Sequence, residues 1–221
     1  HQVAMNPDAD LSPPGIAALI SSFLEALDLD DVTIFGNDSG GAMSQVLVTK
    51  HPQRIGRLVL TNCDTHKNFP PGPFKAMPPI AKFPGGMTVL AAPFRIKALA
   101  RAAFRPFTRT PLPAELVASW MAPALGNPEI KHDTTKVTAG MNKRYTLEAA
   151  EKLRSSELPI LLTWAPGDRV FPISYAERLA RETPNARLVQ IPDARTFVPF
   201  DQPERLADEI ELLVSQLAER F

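Results

Sequence analysis

The chain has 221 residues, 44% of them hydrophobic, which is enough for a full core in one domain with room for a small subdomain. Lys+Arg and Asp+Glu both number 24, so the chain has no net charge that would attract nucleic acid. The single cysteine, Cys63, excludes an intrachain disulfide and fits a reducing compartment. No apolar stretch approaches the roughly 20 residues that span a bilayer and no secretory signal is visible, so we expect a cytoplasmic protein with neither nucleic-acid nor membrane partners.

The first predicted element is an amphipathic helix. Ser12 is a favourable N-cap, and Pro13 and Pro14 fall in the first turn, where the missing N–H of proline costs nothing. Apolar residues then recur at helical spacing and predict one buried face, made of Ile16, Leu19, Ile20, Phe23, Leu24 and Leu27.

The most informative stretch is the turn between the next strand and the helix after it. A buried strand is predicted over 31–35, followed by Gly-Asn-Asp-Ser-Gly-Gly at 36–41 and by a helix over 42–48. A strand, a glycine-flanked turn and a helix form the layout of a nucleophile elbow, whose central residue is held on a strained backbone. In the pattern Gly-x-nucleophile-x-Gly, the flanking Gly36 and Gly40 make position 38 the nucleophile, and that residue is Asp38.

Two other interpretations of this turn stay open. The turn could be an ordinary tight connection in which Asp38 only caps the following helix. Alternatively, Ser39 could be the nucleophile, although Asn37 would then stand where the elbow needs a residue with almost no side chain. A further short apolar strand over 57–62 completes a strand–helix–strand unit, which is typical of a parallel sheet.

The segment from Phe69 to Pro128 is rich in proline and phenylalanine. Proline breaks helices and forces the preceding residue into an extended conformation. We therefore predict short helices joined by turns, without a long strand. Most of the apolar side chains of this segment should pack internally, and a minority could line a pocket for an apolar molecule.

The pattern of strands resumes after this segment. A strand is predicted over 158–164, then a loop at 165–172 that contains Asp168, a helix over 173–182 and a strand over 187–191. A loop through Pro199 leads to a final helix, whose core face we expect to consist of Leu206, Ile210, Leu213, Val214 and Leu217.

The elbow, the Asp168 loop and the stretch Pro-Asp-Ala-Arg-Thr-Phe-Val-Pro at 192–199 fit one family in order and spacing. The chain resembles the α/β-hydrolase superfamily, in particular its branch with a carboxylate nucleophile, which includes haloalkane dehalogenases and epoxide hydrolases. The resemblance implies an α/β fold with a mostly parallel sheet and helices on both faces, formed by residues 1–65 and 146–221. It also implies a helical cap over residues 66–145, for which an unrelated helical subdomain is the alternative.

The resemblance assigns roles to individual residues. Asp38 would be the nucleophile, Asp168 the acid that orients an imidazole, and the Ser39 amide an oxyanion donor. Under the cap it implies a substrate pocket, which we expect to be lined by Asn37, Phe69, Trp120 and Phe197. It implies no cofactor, and the four histidines are too scattered in sequence to suggest a metal site.

The histidine that the family carries after the last strand is replaced here by Thr196. A threonine hydroxyl is far too weak a base near neutral pH. Attack by Asp38 on carbon needs no base, but hydrolysis of the resulting ester needs activated water, so the chain could alkylate itself once and stop. Of the four histidines, only His66 lies near the catalytic edge by topology. We expect all four to be bystanders, and a substitute base at His66 is the alternative.

The chain departs from the pattern of this family at two further places. The named enzymes usually carry tryptophan directly after the nucleophile, where this chain has Ser39. The family also places several strands and a second oxyanion donor before the helix that starts at Ser12. We therefore expect an N-terminal segment, from a longer polypeptide or from a partner, to complete the sheet.

These residues together predict a hydrolase of a small, largely apolar molecule that acts through Asp38 with an incomplete triad. A non-catalytic homologue that binds a small ligand under the cap is the main alternative, because Thr196 is compatible with it. Isomerase or lyase chemistry on the same scaffold is a third possibility.

Overall fold

The sheet of this protein is parallel and contains the predicted strands. The computed structural model describes residues 1–218, except the side chains of Pro73, Leu217 and Ala218. Four strands lie in the order β1-β2-β3-β4, with the bounds β1 (Val32–Asp38), β2 (Ile55–Cys63), β3 (Ile160–Trp164) and β4 (Ala186–Gln190). The predicted α/β class is confirmed, and β1 continues beyond the predicted strand to Asp38 itself.

Helices connect these strands and fill the segment between β2 and β3. Their bounds are α1 (Pro13–Ala26), α2 (Ser39–Lys50), α3 (Met77–Ala81), α4 (Gly86–Ala91), α5 (Lys97–Phe104), α6 (Ala114–Gly126), α7 (Pro128–Gly140), α8 (Lys143–Leu153), α9 (Ile173–Glu182), α10 (Val198–Asp201) and α11 (Pro203–Ala218). Short 3-10 turns cover Gly72–Ala76, Ala92–Arg95 and Arg105–Phe107. None of the helices within residues 1–218 has the length and apolar character needed to cross a membrane.

The proline-rich segment forms short helices and turns, as predicted, and we call residues 72–140 the insertion. Within these residues the chain makes no strand. The next helix, α8, already belongs to the body of the protein, because Leu153 is fully buried in the main core. Tyr145, the last residue of the predicted cap, lies inside α8 and packs against that core.

The central strands pack helices on both of their faces. Leu58 and Leu60 of β2 face the main core, which also takes side chains from α1, α2, α8 and α9. The alternate residues Val59 and Leu161 face the opposite side and pack against Leu213 of α11. This alternation is what the period of two along a strand dictates when both faces are covered.

The final helix buries most of its predicted face. Leu206 and Leu213 are buried, and Ile210 packs against both of the clusters in which they lie. The prediction is wrong for Val214, which is 38% exposed because it points away from the sheet. Leu217 lies outside the described side chains.

The first helix, α1, buries a different stripe from the predicted one. Ser12 caps it as expected, accepting from the Gly15 amide at 3.4 Å. The small residue Ala17, together with Leu24, packs in the main core. Because α1 turns this stripe inward, half of the predicted face is exposed: Leu19, Phe23 and Leu27 are 40%, 59% and 54% accessible.

Candidate active site

Asp38 lies at the tip of the turn from β1 to α2. Its backbone has φ 53° and ψ −132°, a conformation that is strained for a residue with a side chain. Its carboxylate makes no capping hydrogen bond to α2, so the alternative that Asp38 merely caps the helix is not supported. Ser39 follows as the first residue of α2, which makes Asp38 the strained residue of the elbow.

Glycines are required on both sides of Asp38 because neighbouring atoms approach closely. A Cβ atom at Gly36 would lie 2.6 Å from the Ser44 hydroxyl oxygen, and one at Gly41 would lie 2.2 Å from Cβ of Cys63. Nothing lies within 4 Å of such an atom at Gly40. The crowded pair is therefore 36 and 41, and the predicted flanking role of Gly40 has no steric basis.

Asp168 lies in the loop after β3, and its carboxylate is fully hydrogen-bonded. Oδ1 accepts from the amides of Val170 at 2.7 Å and Phe171 at 3.3 Å. Oδ2 accepts from Asn62 Nδ2 and from the Thr196 hydroxyl, both at 2.8 Å. The residue predicted as the triad acid is thus bonded to the residue at the predicted base position.

Thr196 is completely buried in the loop after β4, and Asn37 ties that loop to the strand ends. The Asn37 side-chain nitrogen donates to the carbonyls of Thr196 at 2.7 Å, Thr61 at 3.0 Å and Asn62 at 3.3 Å. Asn37 therefore braces three chain segments at the carboxyl edge of the sheet. Its predicted contribution to a substrate pocket stays a prediction.

Asn62 is a site residue that the sequence analysis missed. Its side chain accepts from the Ala165 amide at 2.7 Å and donates to Asp168, so it joins β2 to the loop after β3. It is fully buried and has an unusual φ of 25°. A signal was available, because polar residues at the carboxyl end of an apolar parallel strand are where such sites form.

Three carboxyl groups at this edge have raised pKa values, and burial is the first cause in each. Burial raises the pKa of Asp38 to about 6, against the opposing effect of the Ser39 amide and hydroxyl. It also raises the pKa of Asp168, although four hydrogen bonds favour its ionised form. Burial and the negative charge of Asp38 raise the pKa of Asp64, another residue missed from sequence, to about 9.

His66 is already engaged in other contacts. Its Nε2 lies 3.0 Å from Glu182 Oε2, and its Nδ1 lies 3.2 Å from the Thr65 hydroxyl. Burial lowers the pKa of this imidazole. Within residues 1–218 no histidine hydrogen-bonds Asp38, Asp168 or Thr196, so the structure does not support His66 as a substitute base.

The predicted aromatic pocket residues lie in two places. Phe69 is buried in a cluster with Ala42 and Met43 of α2. Phe197 stacks on Phe107 of the insertion with ring centroids 5.4 Å apart, and its amide donates to the Phe107 carbonyl at 2.8 Å. Trp120 packs edge-on against Phe197.

Of these predicted residues, Trp120 lines the apolar cavity of the insertion. The cavity has a volume of about 290 Å³, and its walls include Met77, Met87, Phe94 and Met121. Its lining does not include Asp38, so the apolar cavity and the strained carboxylate are separate features in this structure. Among the described residues, no group of three or more His, Cys, Asp or Glu side chains could hold a metal ion.

The chain is similar to known proteins at the levels of family and sequence. The model of the alpha/beta hydrolase fold family matches residues 10–203. An uncharacterized protein of Mycobacterium tuberculosis is 24% identical over 236 aligned positions, which cover 96% of this chain and 64% of the relative. A 2-hydroxy-6-oxononadienedioate/2-hydroxy-6-oxononatrienedioate hydrolase of Dechloromonas aromatica is 26% identical over 176 positions, 78% of this chain and 58% of the relative. The chain thus spans less than two thirds of these curated relatives.

Solved structures agree on the fold. An alpha/beta hydrolase fold protein from Burkholderia ambifaria superposes with a TM-score of 0.75 at 22% identity, covering 92% of this chain and 74% of that one. A mutant of the haloalkane dehalogenase DatA from Agrobacterium tumefaciens gives a TM-score of 0.74 at 18% identity, covering 95% and 75%. At such identities the likeness concerns the fold alone.

Proposed function

The chain belongs to the alpha/beta hydrolase fold family, and from this premise we propose that it hydrolyses a small, largely apolar molecule with Asp38 as the nucleophile. The observation that carries the proposal is the strained backbone of Asp38 at the tip of the elbow. Strain of this kind persists where it serves a purpose, and here it presents a half-buried carboxylate at the end of β1.

The proposed reaction begins with attack of the ionised Asp38 on an electrophilic carbon of the substrate. With its pKa raised to about 6, the Asp38 carboxyl is ionised at neutral pH and remains more basic than an ordinary aspartate. The attack forms an ester between the enzyme and the substrate carbon. Water must then cleave that ester. Thr196, whose hydroxyl donates to Asp168, cannot activate the water, because a hydroxyl is a poor base.

We propose that the insertion acts as the cap over this site. Two contacts support the proposal: Arg195 donates from its guanidinium to the Arg105 carbonyl at 2.8 Å, and Phe197 stacks on Phe107. These contacts join the insertion to the loop that carries Thr196. The apolar walls of the 290 Å³ cavity, which Asp38 does not line, suit the apolar part of a substrate and not its reacting carbon.

A non-catalytic ligand-binding protein is the second candidate function. It is favoured by Thr196, which occupies the predicted base position and is tied to Asp168 with no imidazole beside it in the described residues. The proposed cytoplasmic location rests on Cys63, a buried free thiol that fits a reducing compartment.

Turnover of a substrate panel distinguishes the two candidates. Aryl esters, epoxides and haloalkanes of small apolar skeletons are assayed with the wild type, Asp38→Asn and Ser39→Ala. The proposal expects slow hydrolysis of at least one class, lost in Asp38→Asn and slowed but not abolished in Ser39→Ala, which keeps the nucleophile. Binding of these compounds without any chemical change, equal in all three forms, would favour the ligand-binding protein.

A further inference from the structure

Asp64, the first residue after β2, has a carboxyl group without a partner. Its side chain is completely buried, and neither oxygen finds a hydrogen-bond donor within the described part of the chain. Burying an isolated carboxylate costs so much free energy that the group takes up a proton instead. An unsatisfied buried group in a native protein requires an explanation, and a catalytic role is one of the accepted explanations.

The backbone holds Asp64 beside the elbow. Cys63 lies opposite Asp38 in the sheet, and the Asp64 amide donates to the Asp38 carbonyl at 3.3 Å. The Asp64 carbonyl accepts from Gln45 Nε2 of α2 at 2.7 Å, which fixes the turn against the elbow helix. Asp38 and Asp64 are therefore placed side by side at adjacent strand ends.

The Ser39 hydroxyl lies near both carboxyl groups. It lies 3.5 Å from Asp38 Oδ1, at the limit of a hydrogen bond, and Ser39 is only half-buried. It is also near enough to Asp64 to favour the ionised form of that carboxyl, although it falls outside hydrogen-bond geometry there. A serine hydroxyl can accept one proton while it donates another, so Ser39 can link buried Asp64 to the more open side of Asp38.

The two carboxyl groups have different protonation states at neutral pH. The pKa of Asp38 is raised to about 6 and that of Asp64 to about 9, so Asp38 is ionised between these values while Asp64 keeps its proton. The Cys63 thiol, whose pKa burial raises well above its ordinary value, stays neutral beside them. Asp168 adds negative charge near Asp38, and His66 faces Glu182 instead. Such a divided pair suits a nucleophile and an acid.

We propose that Asp64 supplies and then recovers the proton in the reaction at Asp38, with the Ser39 hydroxyl passing it to and from the substrate. The inference rests on the proposed function and deepens it. It identifies a group that can perform the base step for which Thr196 is unsuited.

The first step balances with Asp64 as the acid. The Asp38 carboxylate forms a bond to a carbon of an epoxide, and the carbon–oxygen bond of the ring breaks. The alkoxide takes the Ser39 proton, Ser39 takes the proton of Asp64, and Asp64 is left as a carboxylate. The product is an ester on Asp38 with a hydroxyl group in place of the ring oxygen.

The second step balances with Asp64 as the base. Water gives a proton through Ser39 to the Asp64 carboxylate, and the hydroxide adds to the ester carbon on Asp38. Collapse of the tetrahedral intermediate breaks the bond to the substrate oxygen, which takes the remaining proton and leaves as the second alcohol. Asp38 returns as a carboxylate and Asp64 as an acid, so epoxide plus water has become a diol.

A matched pair of electrophiles separates the two roles, because bromide leaves without a proton and an alkoxide needs one. An epoxide and a bromoalkane of the same carbon skeleton are offered to the full protein and to Asp64→Asn, which keeps the shape but cannot exchange a proton. Thr61→Val is the matched control, since the Thr61 hydroxyl on the same strand is also buried and unpartnered. The adduct on Asp38 is followed by intact-protein mass spectrometry.

The proposal expects Asp64→Asn to be alkylated by the epoxide roughly 100-fold more slowly, and by the bromoalkane within about twofold of the wild type. The epoxide adduct should then accumulate in Asp64→Asn but turn over in the wild type. The bromoalkane adduct should accumulate in both forms, because bromide leaves without a proton and Asp64 stays protonated, unable to act as the base. Thr61→Val should behave as the wild type. Alkylation and turnover of Asp64→Asn at wild-type rates with both probes would overturn the role of Asp64 while leaving Asp38 as the nucleophile.

Carbon-13 NMR of labelled aspartate tests the same inference without any reaction. The resonance lost in Asp64→Asn should belong to a carboxyl that is neutral at about pH 7.5 and titrates near 9. A carboxyl already ionised at neutral pH would overturn the inference. Absence of any adduct on Asp38, in the wild type and in Asp64→Asn, would overturn the proposed function and this role with it.

Discussion

The Thr196 hydroxyl donates a 2.8 Å hydrogen bond to Oδ2 of Asp168, and through it the loops after β3 and β4 are joined. Asp168 already accepts from two amides and from Asn62, so the bond completes a fully satisfied carboxylate. Asp168, the acid of the predicted triad, is therefore held in place. Thr196, at the position of the expected base, cannot take up a proton at neutral pH.

Replacing Thr196 by histidine should increase hydrolysis. The imidazole would take over the bond to Asp168 and provide a base for water, and general-base catalysis contributes roughly 100-fold or more. We expect the rate of ester cleavage on Asp38 to rise by at least about tenfold, allowing for imperfect packing of the larger ring. Rapid-quench measurement of adduct decay gives this rate.

Thr196→Val is the control, because it removes the hydroxyl without adding a base. It should leave adduct decay unchanged and cost on the order of 1 kcal/mol of stability, from one lost hydrogen bond to a carboxylate. If Thr196→His folds and its Asp38 adduct decays no faster than that of Thr196→Val, the lack of a base at position 196 does not limit hydrolysis.

Asn62→Ala should be strongly destabilising. It leaves the buried Ala165 amide and one oxygen of Asp168 short of a partner, at a cost on the order of 3 kcal/mol. Asn68→Ala is the comparison, since Asn68 is also buried in the chain that follows β2 but donates one bond, to the Val170 carbonyl at 3.3 Å. Urea unfolding of the two variants should differ by at least about 1 kcal/mol, and equal losses would contradict the bridging role.

The free energy of unfolding should fall as pH rises through neutrality. The pKa of Asp64 is about 9 in the folded protein and about 4 in an unfolded chain, so the folded state binds more protons between these values. Stability is therefore lost with rising pH over this window, by up to about 1.4 kcal/mol per pH unit from this group. Asp38 adds a slope of the same sign between about 4 and 6.

Asp64→Asn should remove most of this slope above about pH 6, where Asp38 no longer contributes. Thr61→Val should keep it. Urea unfolding at about pH 6.5, 7.5 and 8.5 measures the three forms. A wild-type stability that is flat across this range would show that Asp64 is ionised in the folded state.

Apolar side chains are exposed on α1 and on the edge strand β1. Phe23 and Leu27 of α1 and Phe35 of β1 are all more than 40% accessible, and β1 is an edge strand of the described sheet. We propose that a further segment, of this polypeptide or of a partner, pairs with β1 and covers these side chains. Such edges otherwise invite association between copies.

The 221-residue chain alone should therefore self-associate at micromolar concentration, and Phe23→Lys with Phe35→Lys should reduce this association. Leu212→Lys is the matched control, because Leu212 is 43% exposed on α11, a helix that packs on the central strands. Sedimentation velocity distinguishes the forms. If the wild type is as monomeric as the double variant at all concentrations measured, the result argues against the covering segment.

Local sequence was sufficient to predict the elbow, since the apolar strand, the glycines and the strained Asp38 lie within ten residues of each other. It was not sufficient to identify Asn62 or Asp64. Asn62 becomes a site residue only when β2 and β3 pair and bring it to Asp168, 106 positions away. Periodicity likewise located an apolar face on α1 without showing that packing against α2 would leave Leu19 and Phe23 exposed.

For His66 the sequence predicted the position of the backbone but not the contact of the side chain. Topology placed His66 near the catalytic edge, which is correct for its backbone at the end of β2. Its side chain contacts Glu182 of α9, with Nε2 3.0 Å from Oε2. Sequence order cannot reveal such a partner, so the sequence alone left open whether His66 could act as a substitute base.

A single turnover in water labelled with oxygen-18 tests the central claim, that Asp38 is the nucleophile, most directly. Enzyme in excess is mixed with the best substrate of the panel, and the peptide that contains Asp38 is analysed by tandem mass spectrometry. If the ester forms on Asp38 and water cleaves it at the carboxyl carbon, the label enters the Asp38 carboxylate and the first product molecule carries none. Label in the product of that first turnover, with an unlabelled Asp38, would contradict the account.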